Sequence, residues 1–193
     1  PTPDFRIARN LDEAKQAAEK LGYPLFVKPV DDGSSVGVAK LRSADDLASA
    51  FAAAARRGPV LMEAFVNGAE YTCAVLDGVA LPLIWIEPDG DFYDYHAKYV
   101  SDETRYHCPA PLDAGRSRAI QDLCVQAFDA VGARGWGRVD FMMGSDNVPQ
   151  LLEINTLPGM TSHSLVPRAA AAAGMDFESL CVRLLEMTME ASS

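Results

Sequence analysis

The sequence predicts an α+β fold in which antiparallel strand pairs are combined with amphipathic helices. Two hairpin patterns carry this prediction, one in residues 71–86 around Asp77-Gly78 and one in residues 137–155 around a Gly-Ser-Asp-Asn turn. A helical pattern of apolar residues over 114–133 lies between them. The strands of a hairpin pair antiparallel, and an amphipathic helix buries its apolar face against another element such as a sheet. Antiparallel strand pairs together with such a helix are typical of the α+β class.

The N-terminal elements lead to a small, polar turn. Asn10 can cap a helix that runs from residue 11 to 21 and stops at Gly22, and an apolar strand then delivers Lys28 at its end. The following stretch, 31–37, is rich in glycine and serine, whose backbone N–H groups and hydroxyls can approach an anion closely. We interpret it as a candidate phosphate-binding loop, although a plain hairpin loop has the same composition.

The middle of the chain continues the alternation of helix and strand. Ser43 is expected to cap an alanine-rich helix over 44–56, and Gly58-Pro59 ends it before a strand at 60–65. Residues 92–111 show neither strand nor helix periodicity and are rich in tyrosine and charge. Loops of this length in compact domains are usually functional, so we interpret this one as a lid.

The hairpin at 137–155 contains the largest group of polar residues suited to binding or catalysis. Side chains alternate along a strand, so Arg138, Asp140 and Met142 share one face, and Glu153 and Asn155 share one face of the partner strand. If the two faces coincide, two carboxylates and an amide oxygen meet, and these are ligands that Mg²⁺ prefers. The alternative is a surface hairpin whose charges are solvated.

The loop and helix after this hairpin suggest a second anion site. Ser162 or Ser164 can cap a helix over 165–173, and the N-terminus of a helix favours a negatively charged group such as a substrate carboxylate. A last helix is expected over 177–189.

Composition narrows the function classes. The chain has 193 residues with 17 Lys and Arg against 27 Asp and Glu, a net charge of -10, which argues against general nucleic-acid binding. The sequence has no membrane-spanning apolar run and no signal-peptide pattern, so no membrane partner and a cytoplasmic location are expected. Its four cysteines form no CxxC pair, and neither a zinc site nor a redox motif is predicted.

Several motifs, in order, resemble the ATP-grasp portion of the D-alanine–D-alanine ligase family. They are FVKP, GSSVGV, MEAFVNGAEYT, FYDYHAKYVSDET, GWGRVDFM and LLEINTLPGMTSHSLVP. The resemblance covers nearly the whole chain. It implies an ATP-grasp fold, two α+β lobes whose antiparallel sheets hold a nucleotide between them. Residues 1–63 would form the small lobe, and 64–193 the large lobe with the lid loop 92–111.

The resemblance implies a nucleotide site for ATP. Lys28 would hold the α and β phosphates, Lys98 would reach the transferred phosphate, and Glu70 would bind the ribose hydroxyls. Other contacts, in the phosphate loop, the adenine hinge and its apolar floor, would come from Ser34, Ser35, Glu63, Ala64, Val66, Phe92, Met142 and Leu152.

The resemblance also implies the reaction, in which ATP phosphorylates one D-alanine and the amine of a second attacks the acyl phosphate. Asp140, Glu153 and Asn155 would hold two Mg²⁺ ions, for which Mn²⁺ could substitute. The catalytic set would also contain Ser34 and Lys98. Arg138 would stabilise the oxyanion near Gly159, and Ser164 would bind the carboxylate of the second D-alanine. Tyr99 would favour D-alanine over D-lactate.

The chain departs from the family in length. Whole ligases of this family carry an N-terminal domain that helps to bind the first D-alanine and through which they commonly form homodimers, and this chain begins where the central lobe begins. We therefore expect a C-terminal portion that is slow or inactive alone. Two other interpretations stay open, a nucleotide-binding module and an ATP-grasp ligase for another carboxylate and amine.

Overall fold

A computed structural model describes residues 1–31, 37–88 and 104–190. The described residues divide into two compact units. The first consists of residues 1–31 and 37–67, and the second of residues 68–88 and 104–190. In the described residues, no helix has the length and apolar character needed to cross a membrane.

The first unit is a four-stranded antiparallel sheet covered on one face by two helices. The strands lie in the order β1-β4-β2-β3. Their bounds are β1 (Phe5–Ala8), β2 (Leu25–Pro29), β3 (Ala39–Leu41) and β4 (Val60–Ala64), and the helices are α1 (Leu11–Leu21) and α2 (Leu47–Ala54). Alternate strand residues face the helices and form a core with their small residues, namely Ala8, Leu25, Val27, Leu41, Val60 and Met62 against Ala14, Ala17, Ala18, Leu47, Ala50, Phe51 and Ala54.

The helix boundaries of this unit test the capping predictions. The Asn10 side chain accepts a hydrogen bond from the Glu13 N–H, and α1 ends before Gly22 at φ 75°, as expected. The prediction that Ser43 caps the second helix is wrong. The α2 helix begins only at Leu47, and the Ser43 hydroxyl instead bonds to the side chain and N–H of Asp45, so it forms a local turn.

The second unit is built on a larger antiparallel sheet. Five strands lie in the order β10-β9-β5-β7-β8, and β6 pairs with β5 at the side. The bounds are β5 (Gly68–Leu76), β6 (Val79–Ala80), β7 (Ile84–Glu87), β8 (Arg105–His107), β9 (Trp136–Gly144) and β10 (Pro149–Asn155). Three helices accompany it, α3 (Ala114–Ala130), α4 (Leu165–Ala172) and α5 (Phe177–Glu190).

One face of the larger sheet is apolar and packs on α3. It contributes Tyr71, Cys73, Val75, Val139, Phe141 and Met143, which form a core with Ile120, Cys124 and Phe128 of the helix. Gly137 is required at the centre of this contact, because a Cβ there would lie 2.6 Å from Phe128 Cε2. The opposite face, which alternates with the core positions, carries the polar residues discussed below.

Three elements differ from the sequence prediction. The strand β1 was not predicted, since its side chains Phe5 and Ile7 are largely exposed and show no clear alternation. The strand expected over 79–86 is interrupted, and β6 and β7 are separate. Arg105–His107 pairs with β7 as the edge strand β8, so this end of the predicted lid loop belongs to the sheet.

Candidate active site

The β9–β10 hairpin brings the predicted polar residues to one face. Asp140 lies opposite Glu153, and Arg138 lies opposite Asn155. Directly opposed residues of neighbouring strands project to the same side, so these four side chains share one face of the sheet. This is the face away from α3, and the prediction that the two strand faces coincide is confirmed by the register.

Arg138 and Asp140 form an ion pair with two hydrogen bonds. Arg138 Nε donates to Asp140 Oδ1 at 2.7 Å, and Nη2 donates to Oδ2 at 2.8 Å. The side chains are only 14% and 9% exposed, respectively, so each charge needs the other to offset its lost hydration. The two bonds also fix the plane of the guanidinium, which a single bond would leave free to rotate.

Thr72 is a third partner that the sequence did not single out. Its hydroxyl donates to Asp140 Oδ1 at 2.6 Å, and Thr72 lies opposite Asp140 across β5 and β9. The residue is fully buried, where a hydroxyl needs a partner. In the sequence, Thr72 is a polar residue two positions from Glu70 in the strand 68–76, and this pattern does not reveal a partner 68 residues away.

The hairpin contains a bulge that separates Leu152 from Met142. Met142 lies opposite Gln150 on one side and Glu70 on the other. The register shifts between Leu151 and Glu153, so Leu152 is the extra residue of β10. If the register of residues 153–155 continued without the bulge, Leu151 would lie opposite Met142 on the polar face instead of opposite Phe141 in the core.

The side chains on this face suit a hard divalent cation. Three donors, Thr72 Oγ1 and two nitrogens of Arg138, use three of about four lone-pair positions on the Asp140 carboxylate, which leaves one at Oδ2. Glu153 is exposed opposite it, and Asn155 Oδ1 accepts one bond, from the Leu157 N–H at 3.1 Å. No group of three His, Cys, Asp or Glu suited to a metal occurs in the described residues, and Asn155 adds an amide oxygen to the two carboxylates of this face.

The loop between β10 and α4 is closed by Ser164. This residue is the N-cap of α4, and its hydroxyl accepts the Thr161 N–H at 3.0 Å and bonds to the Thr161 hydroxyl at 2.9 Å. Gly159 lies against the same hydroxyl, since a Cβ on Gly159 would lie 3.0 Å from Ser164 Oγ. The predicted residues Gly159 and Ser164 are therefore neighbours, and a side chain at position 159 would push the loop away from the helix.

In the first unit, Lys28 and Glu63 form an ion pair on the sheet face opposite α1 and α2. Lys28 Nζ bonds to Glu63 Oε1, and the two side chains are 22% and 6% exposed. Phe26 lies opposite Glu63, with its ring centroid 5.3 Å from Lys28 Nζ. The sequence suggested both charged residues but not their pairing, because they lie on different strands and 35 residues apart.

The strand end that follows Glu63 carries two other predicted residues. The Ala64 N–H donates to the carbonyl of Asp4 at 2.8 Å, so this amide is already engaged within the sheet. Phe65 follows, with Lys40 Nζ 3.8 Å above the centre of its ring. Val66 is half-buried one residue later. The Ala64 N–H is therefore not available for a ligand.

Some predicted site residues lie outside the described residues. They are Ser34, Ser35, Phe92, Lys98 and Tyr99.

Comparison with known proteins decides the family. The sequence profile described as D-ala D-ala ligase C-terminus matches residues 4–186, which is nearly the whole chain. This chain belongs to that family. Relatives named D-alanine–D-alanine ligase include one from Laribacter hongkongensis, 51% identical over 187 residues, and one from Verminephrobacter eiseniae, 54% identical over 196 residues. The alignments cover 96% and 97% of this chain but 61% and 59% of the two relatives.

Solved structures of ligases share the fold. A D-alanine–D-alanine ligase from Bacillus anthracis complexed with ATP superposes with a TM-score of 0.80 at 33% identity, over 98% of this chain and 62% of that one. The VanG D-Ala:D-Ser ligase from Enterococcus faecalis superposes with a TM-score of 0.85 at 31% identity, over 96% and 56%. The expected ATP-grasp fold of the α+β class is confirmed, and the chain spans about 60% of the length of the relatives it matches.

Proposed function

We propose that this chain is the ATP-binding and catalytic portion of an ADP-forming ligase that joins two D-alanines into D-alanyl-D-alanine for peptidoglycan. The observation that carries the proposal is the buried, two-bond pair of Arg138 and Asp140 with Glu153 and Asn155 opposite on the same face. The family names of relatives at about 50% identity supply the reaction.

The cofactor Mg²⁺ fits this face. Asp140, Glu153 and Asn155 would hold two ions, which would neutralise the phosphate charge of ATP during phosphoryl transfer. Their oxygens are hard ligands, and the face is polar where its reverse is apolar core. The two hydrogen bonds from Arg138 fix the orientation of the Asp140 carboxylate.

We propose roles in ATP binding for the residues predicted to contact the nucleotide. Lys28 contacts the α and β phosphates, and Glu63 holds its ammonium group in position. Glu70 binds the ribose hydroxyls. The adenine hinge and floor and the remaining phosphate contacts are assigned to Glu63, Ala64, Val66, Met142, Leu152, Ser34, Ser35, Phe92 and Lys98.

The reaction has two steps. A carboxylate oxygen of the first D-alanine attacks the γ-phosphorus of ATP and ADP leaves, which gives an acyl phosphate. The amine of the second D-alanine then attacks the acyl carbon, an oxyanion forms, phosphate leaves with the former carboxylate oxygen, and the amine nitrogen loses a proton. Arg138 and the backbone at Gly159 stabilise the oxyanion, since fixed donors act where the charge develops.

The second amino acid is the point at which related ligases differ. Ser164 binds its carboxylate, and Tyr99 favours D-alanine over D-lactate in the proposal. The Enterococcus faecalis neighbour is named a D-Ala:D-Ser ligase, so D-serine is the competing second substrate to test.

A chimeric enzyme tests the proposed function. The part of the Laribacter hongkongensis relative that aligns with this chain is replaced by the chain, and ADP release and product mass are measured with ATP, Mg²⁺ and D-alanine, with and without D-serine. We expect D-alanyl-D-alanine as the main product, and loss of product in the Arg138→Met chimera. A chimera that folds and binds Mg–ATP but forms no dipeptide would contradict the proposal.

Two features of the whole enzyme belong to the same proposal. It works in the cytoplasm, because ATP is supplied there, and it forms a homodimer through an N-terminal portion. Sedimentation of the chain and of the chimera tests the second point, and we expect a monomer and a dimer, respectively.

A further inference from the structure

Lys40 lies on the same sheet face of the first unit as the Lys28–Glu63 pair. Phe26 of β2 lies opposite Lys40 of β3 and opposite Glu63 of β4. Opposed residues project to one side of a sheet, and Lys28 follows Phe26 at a spacing of two, so all four side chains share this face. The proposed function assigns roles to Lys28 and Glu63, and none to Lys40.

Lys40 contacts the ring of Phe65, which directly follows β4. Its Nζ lies 3.8 Å from the ring centre, within the range of a cation–π interaction. The Phe65 ring also packs against that of Phe26, with 5.9 Å between the centroids and 51° between the ring planes. The Phe65 side chain is thus held by one residue of β2 and one residue of β3.

Phe65 lies between two residues of the proposed adenine hinge, Ala64 and Val66. The strand β4 ends at Ala64, and residues 65–67 lead from it to β5. The Phe65 N–H donates to the Pro24 carbonyl at 3.2 Å, so the backbone of this residue is attached to the sheet at one point. The ring contacts with Phe26 and Lys40 add a second attachment where the regular strand has ended.

We propose that Lys40 is a positioning residue for adenine recognition, which acts by holding Phe65 and with it the hinge residues on either side. The inference rests on the proposed function, which places adenine at Ala64 and Val66. It deepens that function by making selectivity for adenine over other bases depend on Lys40. Hydrogen bonds weaken steeply when donor and acceptor are misaligned, so a hinge without this attachment would discriminate less between bases.

The test compares Mg–ATP with Mg–GTP, which carries a different base, and with Mg–triphosphate, which carries none. Each is titrated calorimetrically into the chain, and we expect ATP to bind most tightly. Lys40→Met should lower the ratio of ATP to triphosphate affinity, and that of ATP to GTP affinity, roughly three- to tenfold, as loss of a cation–π contact predicts. Lys40→Arg should keep both ratios, because a guanidinium also stacks on aromatic rings.

A double-variant cycle tests whether Lys40 acts through Phe65. Phe65→Leu should lower the ratio of ATP to triphosphate affinity at least as much as Lys40→Met does. Adding Lys40→Met to Phe65→Leu should cause little further loss, since the two residues share one contact. Full additivity of the two losses would contradict a route through the ring.

The matched control is Lys20→Met, an exposed lysine of α1 on the other side of the sheet, which should keep both ratios. Unchanged ratios in Lys40→Met would overturn the inference. An equal loss of affinity for ATP and triphosphate would also overturn it, because Lys40 would then act on the phosphates. If Lys40→Met does not fold, the same ratios in Lys40→Gln decide.

The same titrations separate this inference from the proposed function. An unmodified chain that binds no Mg–ATP, or binds it no more tightly than triphosphate, counts against the proposed nucleotide site and its adenine hinge. An adenine preference that is present in the unmodified chain and survives in Lys40→Met counts against Lys40 alone.

Discussion

Arg138 and Asp140, two residues apart on one strand, face each other in a buried ion pair with bonds of 2.7 and 2.8 Å. Residues at this spacing project to the same side of a strand, so the sequence alone brings them close. The Asp140 carboxylate offsets the charge of the arginine and keeps one lone-pair position open at Oδ2.

Loss of the Asp140 charge should destabilise the second unit. Asp140→Asn keeps the shape but leaves Arg138 without its counter-charge, and we expect a loss of about 3 kcal/mol in the free energy of unfolding. Urea denaturation measures it, with the exposed Asp122→Asn on α3 as control. A loss no larger than that of the control would contradict the view that the pair is effectively buried.

The Thr72 hydroxyl should contribute through its bond to Asp140. Thr72→Val keeps the volume but removes the donor, and we expect about 1–2 kcal/mol of destabilisation. Thr72→Ser keeps the hydroxyl and is the matched control. Equal stability of the valine and serine variants would show that the 2.6 Å bond contributes little.

Lys28 should be needed for ATP binding, and the buried Glu63 carboxylate should need Lys28 as its counter-charge. We expect Lys28→Met to weaken ATP binding roughly tenfold or more, because a charge-assisted phosphate contact is lost. The variant should also be less stable, since Glu63 becomes a buried charge without its partner. Adding Glu63→Gln should restore stability but not ATP binding. The exposed Lys20→Met is the control, and restoration of ATP binding by the double variant would refute the phosphate role.

The contacts of Glu87 with β8 should stabilise the protein at neutral pH and lose this contribution in acid. Glu87 bonds to His107 at 2.9 Å and to Arg105 at 3.1 Å. The hydrogen bond from His107 is the main cause that lowers the pKa of Glu87. Burial opposes this effect, and the charge of Arg105 adds to the lowering. A carboxyl whose pKa is lower in the folded state stabilises above its unfolded pKa, and this is lost as pH falls through the folded value.

Glu87→Gln should therefore be less stable than the unmodified chain at about pH 7, and the difference should shrink as the pH falls below the ordinary glutamate pKa of about 4.3. Denaturant unfolding across this range measures it, with the exposed Glu19→Gln as control. A difference that stays constant with pH would mean that the carboxylate charge is not responsible.

Local patterns predicted much of the fold and part of the site. The hairpin around Asp140 and Glu153 is specified by alternation and a short turn, both of which depend on neighbours in sequence. The α1 helix was predicted from Asn10 and Gly22 for the same reason. The predicted charges on the hairpin therefore occur on one face.

Contacts between distant strands could not be predicted in this way. The partners of Asp140 and Lys28, namely Thr72 and Glu63, depend on the order of strands in each sheet, which no local pattern encodes.

Calorimetric titration of the chain with ATP, in the presence and absence of Mg²⁺, tests the central claim most directly. We expect ATP to bind with an affinity that rises with Mg²⁺, and Glu153→Gln to remove most of that rise, whereas the exposed Glu178→Gln on α5 keeps it. ATP binding that is the same with and without Mg²⁺, or that is unchanged in Glu153→Gln, would contradict the assignment of the β9–β10 face as a metal–nucleotide site.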